Sequence, residues 1–419
     1  MAPNPQTDLA RTDPAAEEIF FAALLDATAD DLRPSYHALR DRAPALLTGD
    51  GMLVLSGHSG CDAALRHRDL GKGEDMLGFQ FTGLPEEQLR ELMGRVEKSM
   101  IFANPPDHTR LRRLVSSAFT GRHVQALRDG VRGRTELLLD RLAEDTGADF
   151  MTTVALPLPL AVIADLLGVP ESDREAVLPW ARDISAFISP GAGPDALARA
   201  TAAETAIVAY MTELLDHKRR HPGDDLLTRL AASRDDDALE QDEMISTAIL
   251  LFGAGFETTT NLLGNGLNAL LDNPDQLARL RADLSLMPTA IEEFLRYDGP
   301  VQVDARTVLE PTTLHGVDLS PGQTVITLLG AANHDPNRFA DPDRLDVSRT
   351  DNPHLSFAIG IHFCLGAHLA RLEAEIVLTR LLERFSHLER ASAPLRRPGL
   401  ALRGFASYPL HVTPAPTTG

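Results

Sequence analysis

The stretch that decides the fold is residues 357–366, Phe-Ala-Ile-Gly-Ile-His-Phe-Cys-Leu-Gly. Cys364 stands at the beginning of a helical pattern over residues 365–385, and the start of a helix favours a thiolate. We expect the apolar neighbours Ile361, Phe363 and Leu365 to keep water off the sulfur. A thiolate in a dry bulge lined by amides is a good axial ligand for haem iron.

Other roles for a cysteine must be weighed against this one. For Cys61, the only other cysteine, we expect a buried inert thiol, and two distant cysteines in a reducing compartment favour free thiols over a disulfide. Zinc is disfavoured because no second cysteine or paired histidine stands at ligand spacing. A hydrolase pairing Cys364 with His362 or His368 would need an oriented base and an oxyanion hole.

A long helical pattern over residues 242–273 contains the second informative stretch, Ala-Gly-Phe-Glu-Thr-Thr at 254–259. The Thr258 hydroxyl can bond the carbonyl of Ala254, four residues back, and this disturbs the helix and leaves a groove for dioxygen and water. Glu257 and Thr258 form an acid–alcohol pair suited to proton delivery. The alternative is a small-residue site for helix packing.

Two further sets of residues lie before the cysteine. Glu293 and Arg296 are three apart on a predicted helix and can pair, and a loop arginine, Arg344 or Arg349, can join them. His108 and Arg112 share one helix face, and Arg306 follows a strand-like run. With His362, these cations could bind carboxylates.

In this order and near this spacing, the four motifs resemble those of the cytochromes P450, from about residue 32 to the C-terminus. The cysteine loop matches the pattern Phe-x-x-Gly-x-His/Arg-x-Cys-x-Gly, with Ala358 where bacterial members often have glycine. The resemblance implies that Cys364 binds the iron and that Glu257 and Thr258 are catalytic. It also implies a set of residues that contact the cofactor: His108, Arg112, Ala254, Gly255, Arg306, Phe357, Gly360, His362 and Gly366.

The resemblance further implies a mainly α fold with small β-sheets, in which haem b lies between the long central helix and the cysteine-bearing helix. Such a protein is a monooxygenase that inserts one oxygen atom from O2, by hydroxylation or epoxidation, into a hydrophobic small molecule. A secondary metabolite such as a polyketide, macrolide, peptide or terpenoid is the expected substrate. Another oxidative tailoring step, such as coupling or desaturation, and a non-catalytic haem protein are the alternatives.

No flavin or iron–sulfur module is visible in the chain, so electrons are expected from a separate ferredoxin and ferredoxin reductase. Four arginines could form a docking patch for that partner: Arg110, Arg113, Arg122 and Arg371. The substrate pocket is expected to be apolar and to include residues 70–101, Leu250, Gly253, Ala254, residues 301–305 and Phe405.

Composition and charge limit the other possibilities. The net charge of −20 disfavours nucleic-acid binding, which needs a basic surface. No stretch has the pattern of a signal peptide or is apolar enough to span a membrane, so we expect a cytoplasmic monomer. No linker or repeat divides the chain, and we predict one compact domain over residues 19–413, a flexible segment over 1–18 and a frayed tail over 414–419.

Overall fold

The computed structural model describes residues 10–25, 30–73, 98–145, 147–187, 194–232, 239–397 and 402–416. The helices in these parts of the chain are α1 (Pro14–Leu25), α2 (Arg33–Arg42), α3 (His58–Arg66), α4 (Asp107–Ser116), α5 (Gly121–Ala126), α6 (Arg128–Glu144), α7 (Pro157–Leu167), α8 (Arg174–Phe187), α9 (Pro194–Arg220), α10 (Leu226–Ala232), α11 (Gln241–Asp272), α12 (Pro274–Ala282), α13 (Met287–Asp298), α14 (Leu329–Asn333) and α15 (Ala367–Arg384). The prediction for residues 74–97, an irregular loop with a short helix, lies outside the described residues.

The strands are β1 (Ala45–Leu47), β2 (Leu53–Leu55), β3 (Leu70–Gly71), β4 (Val303–Val308), β5 (Thr312–Leu314), β6 (Val317–Leu319), β7 (Thr324–Leu328), β8 (Phe385–Arg390), β9 (Leu395–Arg396), β10 (Phe405–Ser407) and β11 (Leu410–Pro414). Five of them form one sheet in the order β1-β2-β7-β4-β3, and the rest pair as β5 with β6, β8 with β11 and β9 with β10. The Gly-Asp-Gly between apolar runs at residues 45–56 predicts a β-hairpin, and the antiparallel pair β1 and β2 confirms it.

The central helix is α11, which is 32 residues long and mostly buried. Asp242, at the start of the helical pattern, is the N-cap that the sequence predicts. The observed cap is instead Glu240, whose side chain accepts from the third helical residue while Glu243 accepts from the Glu240 N–H. The predicted end is confirmed, because α11 stops at Asp272, before Asn273 and the proline that begins α12. Its buried faces pack against α7, α13 and α15 and form the core of the molecule.

The pairing of Glu293 with Arg296 ties α13 to the loop that leads to the cysteine. Arg296 Nε and Nη2 each donate to the Glu293 carboxylate at 2.8 Å, and both residues are almost fully buried. Arg349 donates to the same carboxylate at 3.1 Å, whereas Arg344 supplies only its main-chain carbonyl to Arg296. Arg349 is therefore the third member of this Glu293 triad.

Ordered contacts extend beyond the residue range that we predicted for the domain. Helix α1 begins at Pro14, inside the segment 1–18 that we predicted to be flexible, and Ala16 is fully buried. At the other end β11 includes Pro414, and the Ala415 N–H donates to the carbonyl of Arg384. Within the described parts of the chain, no helix is long and apolar enough to cross a membrane.

Candidate active site

The cysteine loop is held in shape by its own main chain. A short 3₁₀ turn covers Gly360–His362, and the N–H of Cys364 donates to the carbonyl of Phe357 at 2.9 Å. Gly360 has φ +74°, and a Cβ there would lie 2.6 Å from the carbonyl oxygen of Leu65. Only glycine fits this position, because a side chain would be both strained and in collision with the backbone.

The thiol of Cys364 lies in a setting with opposed effects on its pKa. Burial raises this pKa, while a hydrogen bond from the Gly366 N–H and the charges of Arg112 and Arg371 lower it. The predicted apolar cover is only partly correct, because Ile361 is 49% exposed and Phe363 is 39% exposed. Since burial dominates, a bound metal cation would be what keeps this sulfur deprotonated.

Two arginines and two histidines from three separate elements meet beside the loop. His108 and Arg112 come from α4, Arg306 from β4 and His362 from the loop itself. The rings of His108 and His362 are 4.3 Å apart, and Arg112 donates to the carbonyl of Phe363 at 2.6 Å. Burial, then the charge of Arg306, lowers the pKa of His362 to about 3.

This cluster leaves polar atoms without partners in the described parts of the chain. His108 Nε2, His362 Nε2 and Arg306 Nη2 are buried and make no hydrogen bond there. Buried polar atoms are rarely left unpaired in folded proteins. A Cβ added at Gly366 would meet no atom within 4 Å, so there is open space beside the cysteine. The residues thus fit a flat cofactor that carries carboxylates, as haem b does.

Sequence reasoning missed two members of this cluster. Lys72, at the end of β3, is 5% exposed and donates to Asp304 at 2.7 Å. Asp304 also pairs with Arg306 at 2.7 Å. Asp304 could have been found from the sequence, because residues two apart on a strand share a face.

The middle of α11 faces an opening. Ala254 is exposed although most of the helix is buried, and the Thr258 hydroxyl donates to the Ala254 carbonyl at 3.1 Å, as predicted. The helix stays continuous through this stretch, so the hydrogen bond does not break it. Gly255 points elsewhere: a Cβ there would lie 2.7 Å from Ile163 of α7, which indicates helix packing.

Glu257 has an ion-pair partner that the sequence did not suggest. Its Oε1 lies 2.9 Å from Nη1 of Arg397, which follows β9, while the buried Oε2 has no hydrogen-bond partner within the described residues. Arg397 is far from Glu257 along the chain, and no pattern linked the two. The carboxylate thus has one oxygen held by Arg397 and one buried oxygen without a partner in the described chain.

The apolar pocket that we predicted stays a prediction at most of its positions. Leu250, Gly253 and Ala305 are partly exposed, as expected for residues that line an opening. Phe405 does not line an opening, because it is 3% exposed. It packs near Gly264 of α11, and the Arg396 guanidinium lies 4.0 Å from its ring centroid. Most of the predicted wall at 70–101 lies outside the described residues.

Comparisons with known proteins agree with this geometry. A family model described as Cytochrome P450 matches residues 198–404. Cytochrome P450 monooxygenase PikC of Streptomyces venezuelae is 40% identical and covers 91% of each chain. The 6-deoxyerythronolide B hydroxylase of Saccharopolyspora erythraea is 37% identical over 90% of this chain and 95% of its own. The solved structure of P450BioI in complex with an acyl carrier protein that carries hexadec-9Z-enoic acid is 35% identical, with a TM-score of 0.85 over 91% of this chain and 98% of its own.

A mainly helical fold, a partly buried cysteine just before a helix, and a cluster of histidines and arginines with three unpartnered buried nitrogens together define a haem-thiolate enzyme. The chain belongs to the cytochrome P450 family, whose members bind haem b and act as monooxygenases. The predicted fold class, single compact domain and cofactor are confirmed. The alternative of a haem protein without turnover is not supported by these relatives.

Proposed function

We propose that this P450 hydroxylates or epoxidises a hydrophobic secondary metabolite of the polyketide or macrolide type, with Glu257 and Thr258 delivering protons. The observation that carries the proposal is the hydrogen bond from Thr258 to Ala254 at the exposed middle of an otherwise buried helix. A named hydroxylase of 6-deoxyerythronolide B among the relatives supports the substrate class.

Different residues bind the iron, hold the cofactor, transfer protons and contact the substrate in this proposal. Cys364 binds the iron, and haem b, when bound, supplies the activation of dioxygen. Arg112, Arg306, His108 and His362 would hold the two propionates. Thr258 Oγ1 holds and passes a proton within the opening, and the free Oε2 of Glu257 exchanges protons with water. Leu250, Gly253 and Ala305 present apolar surface to the substrate.

Electrons come from a separate ferredoxin and its reductase in this proposal. The docking patch of four arginines needs revision, because Arg110 and Arg371 have acidic partners within the protein. Arg110 forms an ion pair with Glu243 of α11, and Arg371 donates to Glu292 at 2.6 Å and 2.8 Å. Arg122, exposed on α5, remains a candidate contact for the partner.

The proton-delivery role is tested with Thr258→Ala and the control Thr258→Ser, which keeps the hydroxyl. With a substrate found by spectral shift of the ferric protein against a panel of macrolactones, terpenoids and fatty acids, we expect Thr258→Ala to divert about tenfold more reducing equivalents to peroxide. Thr258→Ser should remain coupled. Equal peroxide yields in Thr258→Ala and the wild type would remove Thr258 from the relay. A panel in which only fatty acids shift the spectrum would overturn the substrate class.

A further inference from the structure

A second charged triad lies beside the Glu293 triad, on the adjacent residue of α13. Arg371 of α15 donates through Nε to Glu292 Oε1 at 2.6 Å and through Nη2 to Oε2 at 2.8 Å. His354, in the loop before the cysteine, places Nε2 3.1 Å from Glu292 Oε2. We call Glu292, Arg371 and His354 the Glu292 triad. It joins two helices to the segment that leads into the cysteine loop.

Both partners of Glu292 contact the same aromatic ring. The guanidinium carbon of Arg371 lies 4.6 Å from the ring centroid of Phe357, within cation–π range. The His354 ring centroid is 5.8 Å from that of Phe357, tilted by 52°. Phe357 is 9% exposed, and its carbonyl accepts the N–H of Cys364. The triad therefore bears directly on the residue that holds the cysteine main chain.

The hydrogen bonds fix the tautomer and orientation of His354. Its Nδ1 lies 3.3 Å from the N–H of Ser356 and accepts from it, so Nε2 carries the proton that it donates to the carboxylate. A neutral imidazole thus satisfies both contacts. The hydrogen bonds from Arg371 and His354 outweigh burial and hold the pKa of Glu292 at about 2, so the carboxylate stays charged.

Solvent reaches one side of the triad. The Glu292 and Arg371 side chains are 29% and 32% exposed, and they line an open cavity of about 210 Å³. At such exposure, the ion pair itself adds little to stability. Its bidentate geometry does constrain direction, since a fork-to-carboxylate contact allows one orientation. The triad thus serves to orient the side chains of Arg371 and His354 and adds little to stability. Breaking it leaves no fully buried charge.

We propose that Glu292 is a positioning residue: through Arg371 and His354 it fixes Phe357, and so holds the main chain of Cys364 where its sulfur can stay bound to iron. This proposal rests on the family assignment and not on the substrate or the proton relay. It replaces a docking role for Arg371 with an internal one.

The test compares Glu292→Gln with Glu375→Gln, a control on α15 that lines the same cavity and pairs with Arg128 at 3.0 Å. The readout is the carbonyl spectrum of the reduced haem protein, which separates haem with an intact thiolate bond from haem that has lost it. We expect Glu292→Gln to raise the ratio of lost to intact bond about five- to tenfold, and Glu375→Gln to leave it unchanged. The haem reduction potential should shift in the first variant alone.

Arg371→Lys is the second variant, because it keeps the charge and loses the bidentate, stacked geometry. We expect it to behave like Glu292→Gln, with far-ultraviolet circular dichroism like that of the wild type. A docking role for Arg371 predicts instead a raised KM for the ferredoxin with no change in the carbonyl spectrum. That outcome, or a wild-type spectrum in both variants, would overturn the proposal.

Discussion

The two sides of the cysteine loop differ in how completely the protein satisfies its own polar groups. On the Glu293 side, the buried carboxylate accepts from Arg296, Arg349, Asn352 and the main-chain N–H of Asp346. On the His108 side, three buried nitrogens have no partner in the described parts of the chain. An unpaired buried group costs about 1–3 kcal/mol, so the second side is built for a ligand and the first for the fold.

The largest effect on stability is expected on the Glu293 side, where buried polar groups pair within the protein. Glu293→Ala leaves Arg296, which is 1% exposed, without its carboxylate, and breaking a buried pair in this way costs about 3–5 kcal/mol. We expect little folded protein, with or without added haem, as measured by soluble yield and thermal unfolding. Glu375→Ala, which breaks a partly exposed pair, should be near wild type. A Glu293→Ala protein that melts like the wild type would contradict the structural role of this side.

On the His108 side, we expect a substitution to weaken haem binding more than it weakens folding. Arg306→Gln removes a cation whose Nη2 has no partner in the described chain, and its ion-pair partner Asp304 keeps a second cation, Lys72, at 2.7 Å. The unfolding temperature of the haem-free protein should therefore fall less than in Glu293→Ala. Haem binding should weaken by roughly 10–100-fold, since a charge-assisted hydrogen bond contributes about 1.5–3 kcal/mol. Haem transfer to apomyoglobin measures this loss, with Arg338→Gln, which breaks a partly exposed pair with Asp351, as control. Strong destabilisation of the haem-free protein would show that Arg306 serves the fold.

The sequence predicts contacts between residues close together in the chain better than contacts between distant residues. The cysteine loop and the bond from Thr258 to Ala254 are local in sequence, and both were predicted. The choice between Arg344 and Arg349 depends on the path of an irregular loop, in which one residue contributes a carbonyl and the other a side chain. Arg397 reaches Glu257 only because β9 returns to α11, and no periodic pattern encodes such a contact.

Glu373 of α15 is a buried carboxylate that, unlike Glu293, is not satisfied by hydrogen bonds from the described chain. Neither carboxylate oxygen has a partner within the described residues, and burial raises its pKa well above the ordinary 4.5. Above pH 4.5 the unfolded chain loses this proton while the folded protein keeps it. Stability therefore falls as pH rises, by up to about 1.4 kcal/mol per pH unit, until the folded-state pKa is passed.

Glu373→Gln has no proton to lose, so its free energy of unfolding should fall less between pH 5 and pH 7, by about 1 kcal/mol relative to the wild type. Urea unfolding at the two pH values measures the difference. Glu375→Gln, with an exposed and paired carboxylate on the same helix, should keep the wild-type slope. Identical slopes in Glu373→Gln and the wild type would mean that Glu373 is ionised in the folded protein and has a partner.

The smallest effect on stability and activity is expected from a change at Arg397, the ion-pair partner of Glu257 in the proposed proton relay. Arg397 is 31% exposed and Glu257 is 7% exposed, so solvent screens the pair from the arginine side, and we expect it to contribute about 1 kcal/mol. Arg397→Gln should leave folding and haem binding intact, yet allow the Glu257 carboxylate to turn away from Thr258. We expect about two- to fivefold more peroxide per product in turnover assays, and a larger solvent deuterium isotope effect. Arg199→Gln, which breaks the more exposed pair with Asp183, is the matched control. Unchanged coupling in Arg397→Gln would show that Glu257 is oriented by α11 alone, and that the pair serves only to anchor the segment after β9.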